Sequence, residues 1–139
     1  SNGEAVEALL ADYDGYIERV QASNNPAFGR MGDALAEAMQ SLRRATAFIK
    51  DQLAEGDVTK ALAGATPYQE LFSLVSGGSL LAKASLAAAA SDAGAFEAAR
   101  IAAARFFAEN MVPASKGLED VICDAGAQFS DFSEDLLSA

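Results

Sequence analysis

Apolar residues spaced three and four apart run through almost the whole chain, and nowhere does strict alternation replace them. That period places side chains on one helix face, whereas a half-buried strand needs every second residue apolar. The chain is therefore expected to be all-α. From Glu4 to about Ala22, Val6, Leu9, Leu10, Tyr13, Ile17 and Val20 form one stripe, with Glu4, Glu7, Asp12, Asp14, Glu18 and Arg19 around it. Asn25 then suits an N-cap and Pro26 a first helical position, opening a second helix to about Glu55. Phe28, Leu35, Leu42 and Ile49 repeat every seven residues there, with Met31, Ala38 and Ala45 between them, and Met39 and Leu53 widen the stripe. This seam fits the shallow crossing of an up-and-down bundle of four main helices.

Gly56-Asp57 supplies a stop and a new cap, and residues 58–64 read as a short helix or a turn. Thr66-Pro67-Tyr68-Gln69 has the form of a capping box and starts the third long helix. Lys83 is the only charge between Glu70 and Asp92, and Leu71, Phe72, Leu74, Val75, Leu80, Leu81 and Leu86 cover more than one face, the mark of a buried helix. A bilayer span needs about 20 such residues, but Ala, Ser and Gly dilute this stretch and Lys83 sits at its midpoint, so a central bundle helix is the better reading. Gly77-Gly78 costs about 1 kcal/mol per glycine relative to Ala, which a close neighbour or a local bend would explain. Ser91-Asp92 is expected to cap a fourth helix with Phe96, Ala99, Ala103, Phe106 and Phe107 as its stripe and Arg105 and Glu109 as a surface pair. Pro113 either kinks this helix or divides it, Leu118, Val121, Ile122 and Ala125 resuming the pattern. Gly126 is its expected end, and Asp131 with Glu134 offers a cap for a short helix through Leu137. Alanine, the best helix former, is concentrated between Ala82 and Ala108, where it lets helices sit close.

A chain of 139 residues suits one domain able to bury its own core. Ser1-Asn2 before Gly3 reads as a scar of tag removal, leaving residues 3–139 as one helical-bundle domain cut from a longer chain. With one Cys and no His, there is no internal disulfide, Ser/His/Asp triad, Cys/His dyad or N/S-ligated zinc site, and a reduced, cytoplasmic setting is expected. The net charge of −10 is the wrong sign for nucleic acid or anionic lipid.

Glu119, Asp120, Asp124, Asp131, Glu134 and Asp135 are candidates for a divalent cation or for acid/base work, but no EF-hand spacing holds them, and a solvated face is the simpler reading. Arg43, Arg44 and Lys50 make the strongest basic cluster, which could meet a phosphate or a partner's carboxylate, but Glu37, Asp51 and Glu55 flank it and pairing on the helix surface is the simpler reading. Gly77-Gly78-Ser79 lacks the spacing of a phosphate loop. Cys123, beside Ile122, reads as structural, since no base adjoins it. Phe28, Phe48, Phe72, Phe96, Phe106, Phe107, Phe129 and Phe132, with Tyr13, Tyr16 and Tyr68, read as core, although an acyl-chain pocket lined by these rings would leave the same pattern.

Two segments carry a family resemblance. Leu62-Ala63-Gly64-Ala65-Thr66-Pro67-Tyr68, running into Leu71-Phe72 and the small-residue helix through Ala89, resembles a helix of the domain appended to the C-terminus of a group of bacterial acyl-CoA dehydrogenases, among them enzymes acting on 3-methylmercaptopropionyl-CoA. Ala99-Arg100-Ile101-Ala102-Ala103-Ala104-Arg105-Phe106-Phe107-Ala108-Glu109-Asn110-Met111-Val112-Pro113 resembles a later segment of the same domain. The likeness covers roughly residues 60–118; Gln69 replaces a usual Leu, Ser73 a usual Gly, and no aromatic stands near Leu80. It implies a parent flavoenzyme oxidising an acyl-CoA thioester to its 2,3-enoyl form, in fatty acid metabolism, with FAD taking the hydride and a Glu of the main domain removing the α-proton. No catalytic, cofactor-binding or metal residue maps here. The expected partners are the main dehydrogenase domain and further copies of the parent in a homo-oligomer. A free-standing oligomerising bundle and a lipid-associating module are the alternatives.

Overall fold

The computed structural model describes residues 2–91 and 94–124. The chain is an all-α helical bundle, and no strand occurs among the described residues. Its α-helices are α1 (Asn2–Ala22), α2 (Met31–Ala54), α3 (Val58–Ala63), α4 (Ala65–Ala90) and α5 (Ala95–Asn110), with 3-10 turns at Pro26–Phe28 and Val112–Ala114. Residues 115–124 are again helical.

Local chemistry explains most boundaries. Asn25 Oδ1 accepts from the Ala27 amide at 3.0 Å, as its cap position predicts. The turn it caps is 3-10 and stops at Gly29, whose φ of +51° breaks the helix before α2, so the second helix is divided at its start. Gly56, at φ +81°, ends the next stretch, and Asp57 Oδ1 accepts from the Lys60 amide at 3.0 Å to open α3. α4 begins one residue before the expected cap: the Tyr68 amide donates to the Gly64 carbonyl at 3.0 Å, and Pro67 falls inside the first turn, where it sacrifices no internal bond. The cap of α5 is Gly94 instead of Ser91, its amide donating to Glu97 Oε2 at 3.3 Å; Asp92 lies outside the described residues. Pro113 divides the chain, with a 3-10 turn between α5 and the helical residues 115–124. The expected stop at Gly126 and cap at Asp131 and Glu134 lie outside the described residues.

Contacts divide the chain into two compact units, one from residues up to Met39 and Leu74–Pro113, the other from Gln40–Ser73 and Ala114 onward. In the first, Leu10, Tyr13, Ile17 and Val20 of α1 are buried, as are Phe28 and the Met31, Leu35 and Ala38 seam of α2. The α4 line is smaller: Val75, Ser79, Ala82, Ser85 and Ala88 are buried, whereas Leu80 is 52% exposed. Apolar nearly all round, α4 therefore buries chiefly its small-residue face. Gly78 explains the approach, because a Cβ there would lie 2.5 Å from Leu35 Cδ2 and 3.1 Å from Val112 Cγ2. Lys83 stays at the surface, its Nζ 5.5 Å from the centroid of the Tyr16 ring.

α5 overturns one expectation. Its buried line is Ile101, Ala104 and Ala108, while Phe96, Ala99, Ala103 and Phe106 face solvent and Phe107 is half-buried. The alanine face admits nearer neighbours than the aromatic one, and close packing takes it inward. In the second unit Leu42 and Ala45 of α2, Ala61, Leu71, Ser115, Glu119 and Ile122 are buried. Gly64 fits tightly there, its missing Cβ leaving 3.2 Å to Ile122 Cγ2.

Candidate functional site

The second unit holds the best-defined charged group. Arg44, on α2, meets Glu119 with both prongs of its guanidinium, Nε to Oε2 and Nη2 to Oε1, each at 2.9 Å. This fork is the strong geometry for a guanidinium and a carboxylate. The buried Ser41 hydroxyl also donates to Glu119. Hydrogen bonding by Arg44, seconded by Ser41, holds the Glu119 carboxyl below its ordinary value against the opposing effect of burial. Lys116 lies 2.7 Å from Asp120 Oδ1 and 3.8 Å from Glu119 Oε1. The basic cluster is thus not a phosphate site centred on Arg44, nor does Arg44 pair along its own helix; it ties α2 to a segment 75 residues later.

That pairing also removes Glu119 as a free ligand. Among the described residues no three acidic, Cys or His side chains are grouped to hold a metal, and Asp131, Glu134 and Asp135 lie outside them. Burial, with the carboxylates Glu119, Asp124 and Asp120 nearby, pushes the Cys123 thiol up, away from the reactive thiolate. A small cavity of about 340 Å³ adjoins Lys50, lined by Ile49, Ala61 and Ala65 and by Thr46 and Tyr68, whose Oγ1 and hydroxyl are hydrogen-bonded at 2.8 Å. Among the described residues, Tyr68 is the aromatic ring that lines it. Tyr68 and Phe72 make a tilted ring pair at 6.3 Å. Phe129 and Phe132 lie outside the described residues.

In the first unit Glu109 is the unforeseen connector. Its Oε2 takes the expected surface bond from Arg105 Nε at 2.9 Å, while Oε1 accepts the Arg30 amide at 2.8 Å, so one carboxylate holds both α5 and the entry to α2. The Arg30 amide first, and Arg105 second, hold its carboxyl below the ordinary value. Beside it runs a groove of about 600 Å³ whose lining includes Asn25, Ala27, Ala89, Ile101, Ala102 and Phe106. No periodicity argument could find Glu109's second bond, because its partner is a backbone amide freed by the break at Gly29.

Compared with known families, residues 5–133 match the model described as acetyl-CoA dehydrogenase C-terminal like. The chain belongs to this family. The match takes in both resembling segments and extends over α1 and α2. It makes the chain a C-terminal domain of an acyl-CoA dehydrogenase-like protein. No curated protein and no solved structure matches the chain. Acyl-CoA dehydrogenases of this family are generally FAD-dependent, but the groove beside α5 does not suit a flavin dinucleotide. Among the described residues the guanidinium that lines it is that of Arg105, already engaged by Glu109, so a pyrophosphate would have to compete with that ion pair.

Proposed function

We propose that this chain is a non-catalytic accessory domain of a cytoplasmic, bacterial, FAD-dependent acyl-CoA dehydrogenase of the group that includes the 3-methylmercaptopropionyl-CoA enzymes, and that it serves packing on the dehydrogenase domain or subunit assembly in a homo-oligomer. The family match over residues 5–133 is the observation that carries this reading. The state of the titratable groups agrees with it: Glu119 and Glu109 are committed to holding elements together, and burial suppresses the thiolate of Cys123. Acyl-CoA oxidation and FAD binding then belong to the parent's dehydrogenase domain, and no residue here is assigned to catalysis, cofactor or metal. Nucleic acid is not a partner on this reading, and neither is a membrane.

The test compares this chain with its full parent polypeptide. Purified alone, the chain is expected to show no flavin absorbance and no acyl-CoA-dependent reduction of an electron acceptor, whereas the parent is yellow and active. Stoichiometric FAD on the isolated chain would overturn the division of labour.

A further inference from the structure

The aromatic face of α5 is not needed by the core of its own unit, which Ile101, Ala104 and Ala108 already satisfy. Phe96 is 69% exposed and Phe106 63% exposed, two large rings on one helix face with exposed Ala99 and Ala103 between them. Each ring left in water forgoes a favourable burial, and an apolar patch of this kind marks a surface that another molecule covers. Phe106 is also one wall of the groove beside α5, so the face offers both a protruding ring and a concavity. Arg100 lies one turn beyond Phe96, its guanidinium 5.7 Å from the centroid of that ring. Among the described residues no carboxylate pairs with it, although acidic residues outnumber basic ones 20 to 10 in the chain. Aromatic rings with an adjacent arginine are the residue types that dominate binding energy at protein interfaces.

We infer that this α5 face, centred on Phe96, Arg100 and Phe106, docks the domain onto the dehydrogenase domain of its parent, at an apolar patch carrying a carboxylate for Arg100. Charge disfavours the other occupants. A second copy would bring −10 against −10, and anionic lipid would also be repelled. A folded domain with a local acid beside apolar side chains satisfies both the rings and the guanidinium. The inference rests on the accessory-domain reading above and adds to it the surface used.

The test places a benzophenone-bearing phenylalanine at position 96 or 106 of the full parent polypeptide, with exposed Leu53 and Leu62 as control positions, and maps photo-cross-linked peptides by mass spectrometry. Links from 96 and 106 are expected to land on dehydrogenase peptides, in yields on the order of tenfold above the controls. In the same background Arg100→Glu lowers the yield about tenfold and Arg100→Lys retains most of it, each variant keeping its helical circular dichroism spectrum. Links that land only on another copy of this domain or on residues 125–139, or yields no higher than the controls, overturn the inference. A parent without flavin or acyl-CoA oxidation defeats the accessory-domain reading itself, whereas an active flavoprotein cross-linked through Leu53 or Leu62 defeats only the α5 surface.

Discussion

A methyl group added at Gly78 would stand 2.5 Å from Leu35 Cδ2, and Leu35 is itself fully buried, with no open side to move toward. At Gly15, within α1, a methyl group would meet nothing within 4 Å. Both positions are helical, so both gain from alanine's propensity, and only the first incurs overpacking. Gly78→Ala is expected to destabilise by about 1–3 kcal/mol and Gly15→Ala to stabilise by about 0.5–1 kcal/mol. Thermal unfolding of the two variants measures this, and shifts of the same sign would refute the packing account. A mid-helix glycine is a cost that a close neighbour or a local bend would explain, and Gly78 shows the close neighbour, whereas a Cβ on Gly77 would make only ordinary contact with Phe107, at 3.5 Å. Which side chains come close was not legible, because Leu35 and Val112 are distant in sequence. Phe96 and Phe106 were misplaced for a related reason: a helix rich in alanine has two apolar faces, and hydrophobicity favours the aromatic one although the smaller face packs closer.

For the elements, capping chemistry was readable where side chain and amide lie within three residues, as at Asn25 and Asp57. It shifted where glycine could do the work, as at Gly64 and Gly94. Links between elements were not readable. The Arg44–Glu119 fork and the Glu109 bond to the Arg30 amide depend on which helices come together, and neither α2 nor α5 encodes its partner. Glu119 makes the fork measurable. Its folded carboxyl is held below the ordinary 4.5, so the unfolded chain binds the proton more readily, and the stabilisation is fully present above 4.5 and lost as pH falls through the lower folded value. Glu119→Gln is expected to lower the melting temperature by several degrees at pH 7 and to flatten its acid dependence below that window. Equal pH profiles for variant and parent sequence would remove this role.

At the scale of the whole molecule, the helical period decided the fold class, and the order of two spaced alanine-rich segments pointed to the family that matches residues 5–133. Charge has its own consequence. α4 is long and apolar enough to cross a bilayer, but Leu71, Val75 and Ala82 are fully buried and the chain carries −10. Flotation with anionic vesicles should therefore leave the protein in the unbound fraction, and its recovery with the lipid would reinstate a membrane role. The small-residue line of α4 and α5 also bears on how such a domain changes over time. A core of Leu and Ile is damaged mainly by losing volume, in many tolerable steps. One built from Ala, Ser and Gly has almost no volume to lose, so nearly every replacement adds atoms where Ala82, Ala104 and Ala108 leave no room. Its permitted substitutions are few, and the smallest residues become the most durable record of descent.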